Sequence, residues 1–124
     1  MQTILGLDIS TSITGATIIR NGKILETFIW DTRNKRKFPT LYEKAETIQA
    51  DLLTIKSKYD ITDIYIEQSL QSFRSGFSSA KTLSTLSRFN GIVSWLCYGA
   101  FNIKPEMLAA SSARKLAGVG IKRG

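Results

Sequence analysis

The sequence predicts an α/β domain built on a mixed five-stranded sheet, three antiparallel strands first and parallel strands after them, flanked by helices. Three observations predict it. Two apolar segments, residues 14–20 and 23–31, are joined by Asn21-Gly22, the dipeptide best suited to a two-residue hairpin. A long amphipathic stretch then precedes the next strand-like run, which calls for a crossover and therefore parallel pairing. Finally, two apolar strands each end on a carboxylate, Asp8 after "ILGL" and Glu67 after "IYI".

Taken in order, residues 3–9 read as a first strand, and residues 14–20 and 23–31 as the two arms of the hairpin. "TRNKRKFPT" breaks that pattern with charge and a proline. Beyond it Leu41, Ala45, Ile48, Leu52, Ile55 and Tyr59 recur at steps of four and three, the spacing of one helix face. Residues 62–68 return to strand in a central position, and "SLQSFRSGFSS" is a polar loop whose Ser78 or Ser79 can cap a second helix running to about Tyr98. From Phe89 that helix is apolar on most sides, which suits a position inside the fold or against a partner subunit. Residues 101–108 read as a fifth strand interrupted at Pro105, and residues 111–117 as the start of a third helix, followed by the basic tail "GVGIKRG".

One domain spanning residues 1–124 is expected at this length. The chain contains no histidine, so a Ser-His-Asp triad, a Cys-His pair and a His-ligated zinc site are all excluded. Its single cysteine, Cys97, lies in an apolar run and reads as a buried structural thiol, with no intrachain disulfide and a reducing, cytoplasmic location expected. That run, Gly91 to Phe101, falls well short of the ~20 residues that cross a bilayer, and no signal-peptide pattern opens the chain, so no membrane association is expected. Seventeen Lys and Arg against ten Asp and Glu give a net charge of +7, which favours a polyanionic partner such as nucleic acid. Arg33, Lys35, Arg36 and Lys37 form one basic cluster; Lys115, Lys122 and Arg123 form another, nearer the expected active face.

Strand ends that carry Asp8 and Glu67 become neighbours if the first strand lies beside the fourth, and two such carboxylates suit Mg2+ or Mn2+, hard ions that prefer oxygen ligands. Alone, each acid reads more readily as something plainer, Asp8 as an Asx-turn or turn cap and Glu67 as a strand-end charge facing water. Both together, in this element order, favour a cation site. Asp31 competes for the role, but the loop it enters fits a turn. The hydroxyl run Ser10, Thr11, Ser12 and Thr14 can cradle phosphate through backbone N–H groups, or form a tight hairpin in which Gly15 lets the second strand approach the first. No GxxxxGK[ST] segment exists, so a P-loop is excluded.

"ILGLDISTSITGATII" and "IYIEQSLQSF" resemble the two N-terminal motifs of RuvC-type Holliday junction resolvases, members of the ribonuclease H-like superfamily, and in particular their phage relatives. Asp8, Ser10, Thr14 and Gly15 match the first motif; Ile66, Glu67 and Gln68 match the second. Weaker similarity runs through "SSAKTL" to Gly91 and through "SSARKLAGVGIKRG". The resemblance implies a ribonuclease H-like fold and a homodimeric, Mg2+-dependent (or Mn2+-dependent) endonuclease that resolves four-way junctions or other branched DNA. A cytoplasmic setting, in a bacterial cell or a phage-infected host, goes with it. Asp8 and Glu67 would be catalytic metal ligands, and Ser10, Thr11, Ser12, Gln68, Phe73, Arg74, Lys81, Lys115, Lys122 and Arg123 would meet DNA. The second helix would join two subunits.

One departure matters. The family completes its site with further acids on a helix after the basic glycine-containing segment, whereas here no Asp or Glu follows Glu106. The expectation is a chain truncated before its final helix, with the fold but weak or no nuclease activity. Two other classes compete: a non-catalytic DNA-binding or dimerisation module, and a fragment of an actin-like or sugar-kinase ATPase, which shares the opening strand, aspartate and hairpin. A YqgF-like nuclease is a nearer variant of the resolvase reading.

Overall fold

The structure, a computed structural model, describes residues 2–68 and 80–109. Its elements follow the order β1 (Thr3–Asp8), β2 (Ile13–Arg20), β3 (Lys23–Asp31), α1 (Leu41–Lys58), β4 (Asp63–Gln68), α2 (Ala80–Phe101) and β5 (Glu106–Ala109). The strands form one sheet in the order β3-β2-β1-β4-β5, antiparallel from β3 to β1 and parallel from β1 to β5. Among the described residues no helix is long and apolar enough to cross a membrane.

Asn21 and Gly22 turn the hairpin with φ of 53° and 73°, the left-handed pair that matches the twist of its strands. A bulge between Ile18 and Ile19 leaves Leu25 without a partner in the ladder, and β3 bends there. Alternation along the strands sends Leu5 and Leu7, Ala16 and Ile18, and Ile64 and Ile66 to one face, in register with one another. Both helices bury their apolar stripes in the same cluster: Ala45, Ile48, Leu52 and Ile55 from α1, and Phe89, Val93, Leu96, Cys97 and Ala100 from α2. Each fully covered aliphatic or aromatic side chain stabilises by ~1.5–3 kcal/mol, so this single face carries the fold. Burial also pushes the Cys97 thiol up to about 12, as befits a structural cysteine.

Thr40 starts α1 with a reciprocal cap, accepting the Tyr42 N–H at 3.2 Å while its own N–H donates to Glu43 Oε1 at 2.8 Å. At the other end Glu26 of β3 takes the Tyr59 hydroxyl at 2.6 Å and Lys58 Nζ at 2.9 Å, which pins the helix terminus to the sheet and lowers the Glu26 pKa.

Two expectations need correction. The second helix does not stop near Tyr98, and the fifth strand does not begin at residue 101. Ala100 is buried, so α2 runs on through Phe101 until Asn102, at a φ of 57°, caps it with its N–H on Tyr98 O at 2.8 Å. Strand geometry starts only after Pro105. The third helix expected over residues 111–117, and the Ser78 or Ser79 cap, lie outside the described residues.

Candidate active site

Asp8 is the last residue of β1 and Glu67 the last but one of β4, and the parallel ladder sets them directly opposite each other. Adjacent strands lie ~4.8 Å apart, so the two carboxylates leave the backbone as near neighbours on one face. That face is the one turned away from the helices, because Leu7 and Ile66, one residue earlier on each strand, point into the core. Asp8 is exposed and Glu67 half-buried. The surrounding sheet still crowds Asp8 enough that desolvation raises its pKa above the ordinary carboxylate value.

The other neighbours of Asp8 on this face are glycines: Gly6 two residues before it, and Gly15 opposite it on β2. The close-approach reading of Gly15 does not hold, since a Cβ built there meets nothing within 4 Å. Gly15 instead leaves open space beside the acids, where any other residue would stand. Two neighbouring carboxylates beside such a gap suit a hard divalent ion with several remaining ligand positions. No group of three Asp, Glu, His or Cys side chains able to hold a metal occurs among the described residues.

The hydroxyl run shapes the turn that follows Asp8. Buried Thr14 spans it, its Oγ1 donating to Ser10 O at 2.9 Å and accepting the Ser10 N–H at 3.2 Å; the Ser12 N–H donates to Ser10 Oγ at 3.1 Å. The amides of Ser10 and Ser12, with the Ser10 and Thr14 hydroxyls, are thus already committed within the turn, and Ser12 is the exposed hydroxyl residue of the run. From the side, Thr32 Oγ1 lies 3.1 Å from both Thr11 O and Ser12 O, and its N–H donates to Ser12 O at 2.8 Å. Lys44, from the first turns of α1, donates its Nζ to Thr11 O. Sequence reasoning missed Thr32 and Lys44. Their only local signals were a threonine just past a strand end and a lysine one turn beyond a cap.

Asp31 does not join the pair. It ends β3, two strands from β1, and anchors its own turn: Arg33 grips it through Nε at 2.9 Å and Nη2 at 2.7 Å and holds its carboxyl down at about 2. Lys81 is exposed in the first turn of α2, which begins at the sheet end where β4 finishes. Gln68 closes β4 opposite Ala109. Phe73, Arg74, Lys115, Lys122 and Arg123 lie outside the described residues.

No protein-family model matches this sequence, and no curated protein does so either. Solved structures do. RuvC of T. thermophilus in complex with Holliday junction substrate superposes with a TM-score of 0.72 at 11% identity, over 93% of this chain and 69% of that one. The Thermus thermophilus RuvC structure gives 0.69 at 15% identity, over 96% and 71%. A weaker likeness, 0.58 at 16% identity over 98% and 49%, is to an inorganic polyphosphate/ATP-glucomannokinase from Arthrobacter sp. strain KM. The strand order, the mixed pairing and the helix placement are therefore those of a RuvC-like, ribonuclease H-like fold.

Proposed function

We propose that this chain is a structure-selective DNA endonuclease of the RuvC type, acting on four-way junctions or other branched DNA with Mg2+ or Mn2+. One observation carries the reading: Asp8 and Glu67 stand in register at the C-terminal ends of two parallel central strands, on the open face, beside the gap left by Gly15. Asp8 and Glu67 would hold the ion. When bound, a divalent ion supplies Lewis acidity at a phosphoryl oxygen and makes a nucleophile accessible near neutral pH. The chain's own residues would do the rest: Thr14, Thr32 and Lys44 fix the turn behind Asp8, and that turn, with Ser10, Thr11 and Ser12, would meet the DNA backbone. Lys81, together with Gln68, Phe73, Arg74, Lys115, Lys122 and Arg123, belongs to the proposed DNA contact.

The homodimer belongs to the same reading. On α2 an exposed ridge carries Gly91, Trp95 and Gly99 at steps of four, with Trp95 69% exposed and Tyr98 beside it also exposed. Added Cβ atoms at both glycines meet nothing within 4 Å. A tryptophan between two hollows is self-complementary, because a two-fold pairing can seat each Trp95 over a glycine of the other copy.

Two acids rather than three among the described residues favour slow cleavage and also suit a second reading, that of a DNA-binding module without catalysis. The test is a labelled four-way junction with Mg2+ present or withheld, using the wild-type chain and Asp8→Asn. Mg2+-dependent nicking that Asp8→Asn abolishes, with junction binding kept, supports the nuclease. Binding that ignores Mg2+, with no nicking, supports the module, and stabilisation by ATP without DNA binding would overturn both.

A further inference from the structure

The loop between β3 and α1 carries four cations, and the structure divides them. Arg33 is neutralised by its fork on Asp31. Lys35, Arg36 and Lys37 are exposed and have no carboxylate partner among the described residues. Nor do they hang on a slack loop. Asn34 Oδ1 accepts the N–H groups of Arg36 at 2.9 Å and Lys37 at 3.1 Å, and Asn34 O accepts that of Phe38 at 2.8 Å. This is one capped helical turn, in which successive side chains fan out by ~100° each. The fold thus holds three adjacent like charges in a fixed turn, against their mutual repulsion.

The position of this turn argues for its partner. β3 ends at the same rim of the sheet where β1 ends, since Ile13 pairs with Asp31 and Gly15 with Asp8. Thr32 then ties the start of the loop to Thr11 and Ser12, in the turn that follows Asp8. Two strand spacings separate β3 from β1, a lateral offset of ~10 Å.

We propose that Lys35, Arg36 and Lys37 form a phosphate clamp for the DNA arm that leaves the acid pair across the β3 edge, gripping its backbone away from the scissile phosphate. The proposal rests on the nuclease reading of Asp8 and Glu67 and adds a second contact region to it. The clamp reads backbone charge and not base identity.

The test compares two triple variants, each losing three positive charges. One is Lys35→Gln, Arg36→Gln and Lys37→Gln. The other is Lys23→Gln, Lys56→Gln and Lys104→Gln, exposed lysines at the opposite end of the sheet. Binding of a fluorescent four-way junction is titrated at several salt concentrations with EDTA present, and thermal melts verify folding. Loss of the clamp is expected to flatten the slope of log affinity against log salt by about 2–3, with a change under about 1 for the opposite-end control. Equal slopes for the two variants, or no change for the first while wild type binds, would overturn the clamp and leave the nuclease reading standing. If wild type shows no salt-dependent junction binding at all, both fall together.

Discussion

Thr14→Val tests whether the hydroxyl run after Asp8 is architecture. Thr14 is 1% exposed, and its Oγ1 both donates to Ser10 O and accepts the Ser10 N–H. Valine keeps the shape and removes both bonds. At ~1 kcal/mol net for each, the loss is ~2 kcal/mol, of which the added methyl returns roughly 0.5 kcal/mol. About 1.5 kcal/mol remains, and a chain of this length gives up ~4 °C of Tm per kcal/mol, so a fall of ~6 °C is expected by far-ultraviolet circular dichroism. Hydrogen exchange gives a local readout, because the Ser10 amide loses its acceptor and should exchange roughly tenfold faster. Thr14→Ser keeps the hydroxyl and should leave that amide protected, whatever the lost methyl costs in Tm. A Thr14→Val chain that melts within about 2 °C of wild type, with the Ser10 amide exchanging no faster, would refute the reasoning.

Lys44→Met keeps the aliphatic stem and deletes the Nζ contact to Thr11 O; a loss under ~1 kcal/mol in urea unfolding is expected, with a several-fold drop in junction cleavage. An unchanged cleavage rate would remove Lys44 from the site. Glu26 has its pKa lowered from 4.5 by the Tyr59 hydroxyl first and Lys58 second, so its contribution is present above that value and disappears as pH falls through the lower folded pKa. Wild type should therefore exceed Glu26→Gln in Tm at neutral pH, with the gap closing in acid; a gap that widens in acid would reverse the assignment. Trp95→Glu places a charge in the centre of the proposed subunit contact, and sedimentation should change from dimer to monomer while the melt stays cooperative. A variant that sediments as wild type would move the contact elsewhere.

Local chemistry made the element order legible. Asn21-Gly22 has one favoured geometry, the α1 stripe repeats without interruption, and the acids end apolar strands, so hairpin, helix and strand ends all follow from neighbours in sequence. What stayed hidden depends on partners far along the chain. Thr32 and Lys44 act on the turn after Asp8 across 20 or more residues, so nothing in their own surroundings marks them. The end of α2 was misplaced because "FNIKP" carries a proline and alternating apolar residues, which look like strand, while burial of Ala100 and the left-handed Asn102 carry the helix on to Phe101. Gly15 is hidden in another way: its backbone needs no glycine, and the open space it leaves lies next to Asp8 only once β2 pairs with β1.

The acid pair follows from the core more directly than from the motif. Leu5 and Leu7 face Ile64 and Ile66 beneath the helices, and that register sets Asp8 beside Glu67 on the opposite face. A slip of β4 by one residue would turn all its side chains over, turning Glu67 toward the helix-covered core and placing Ile66 beside Asp8. The cost of burying a carboxylate in the apolar core, several kcal/mol, forbids that arrangement, as does the loss of two isoleucines from the core. The same alternation that makes the sheet stable therefore holds two carboxylates rigid yet open to solvent. It does so only at the strand ends, where water reaches one face and the ladder fixes the other.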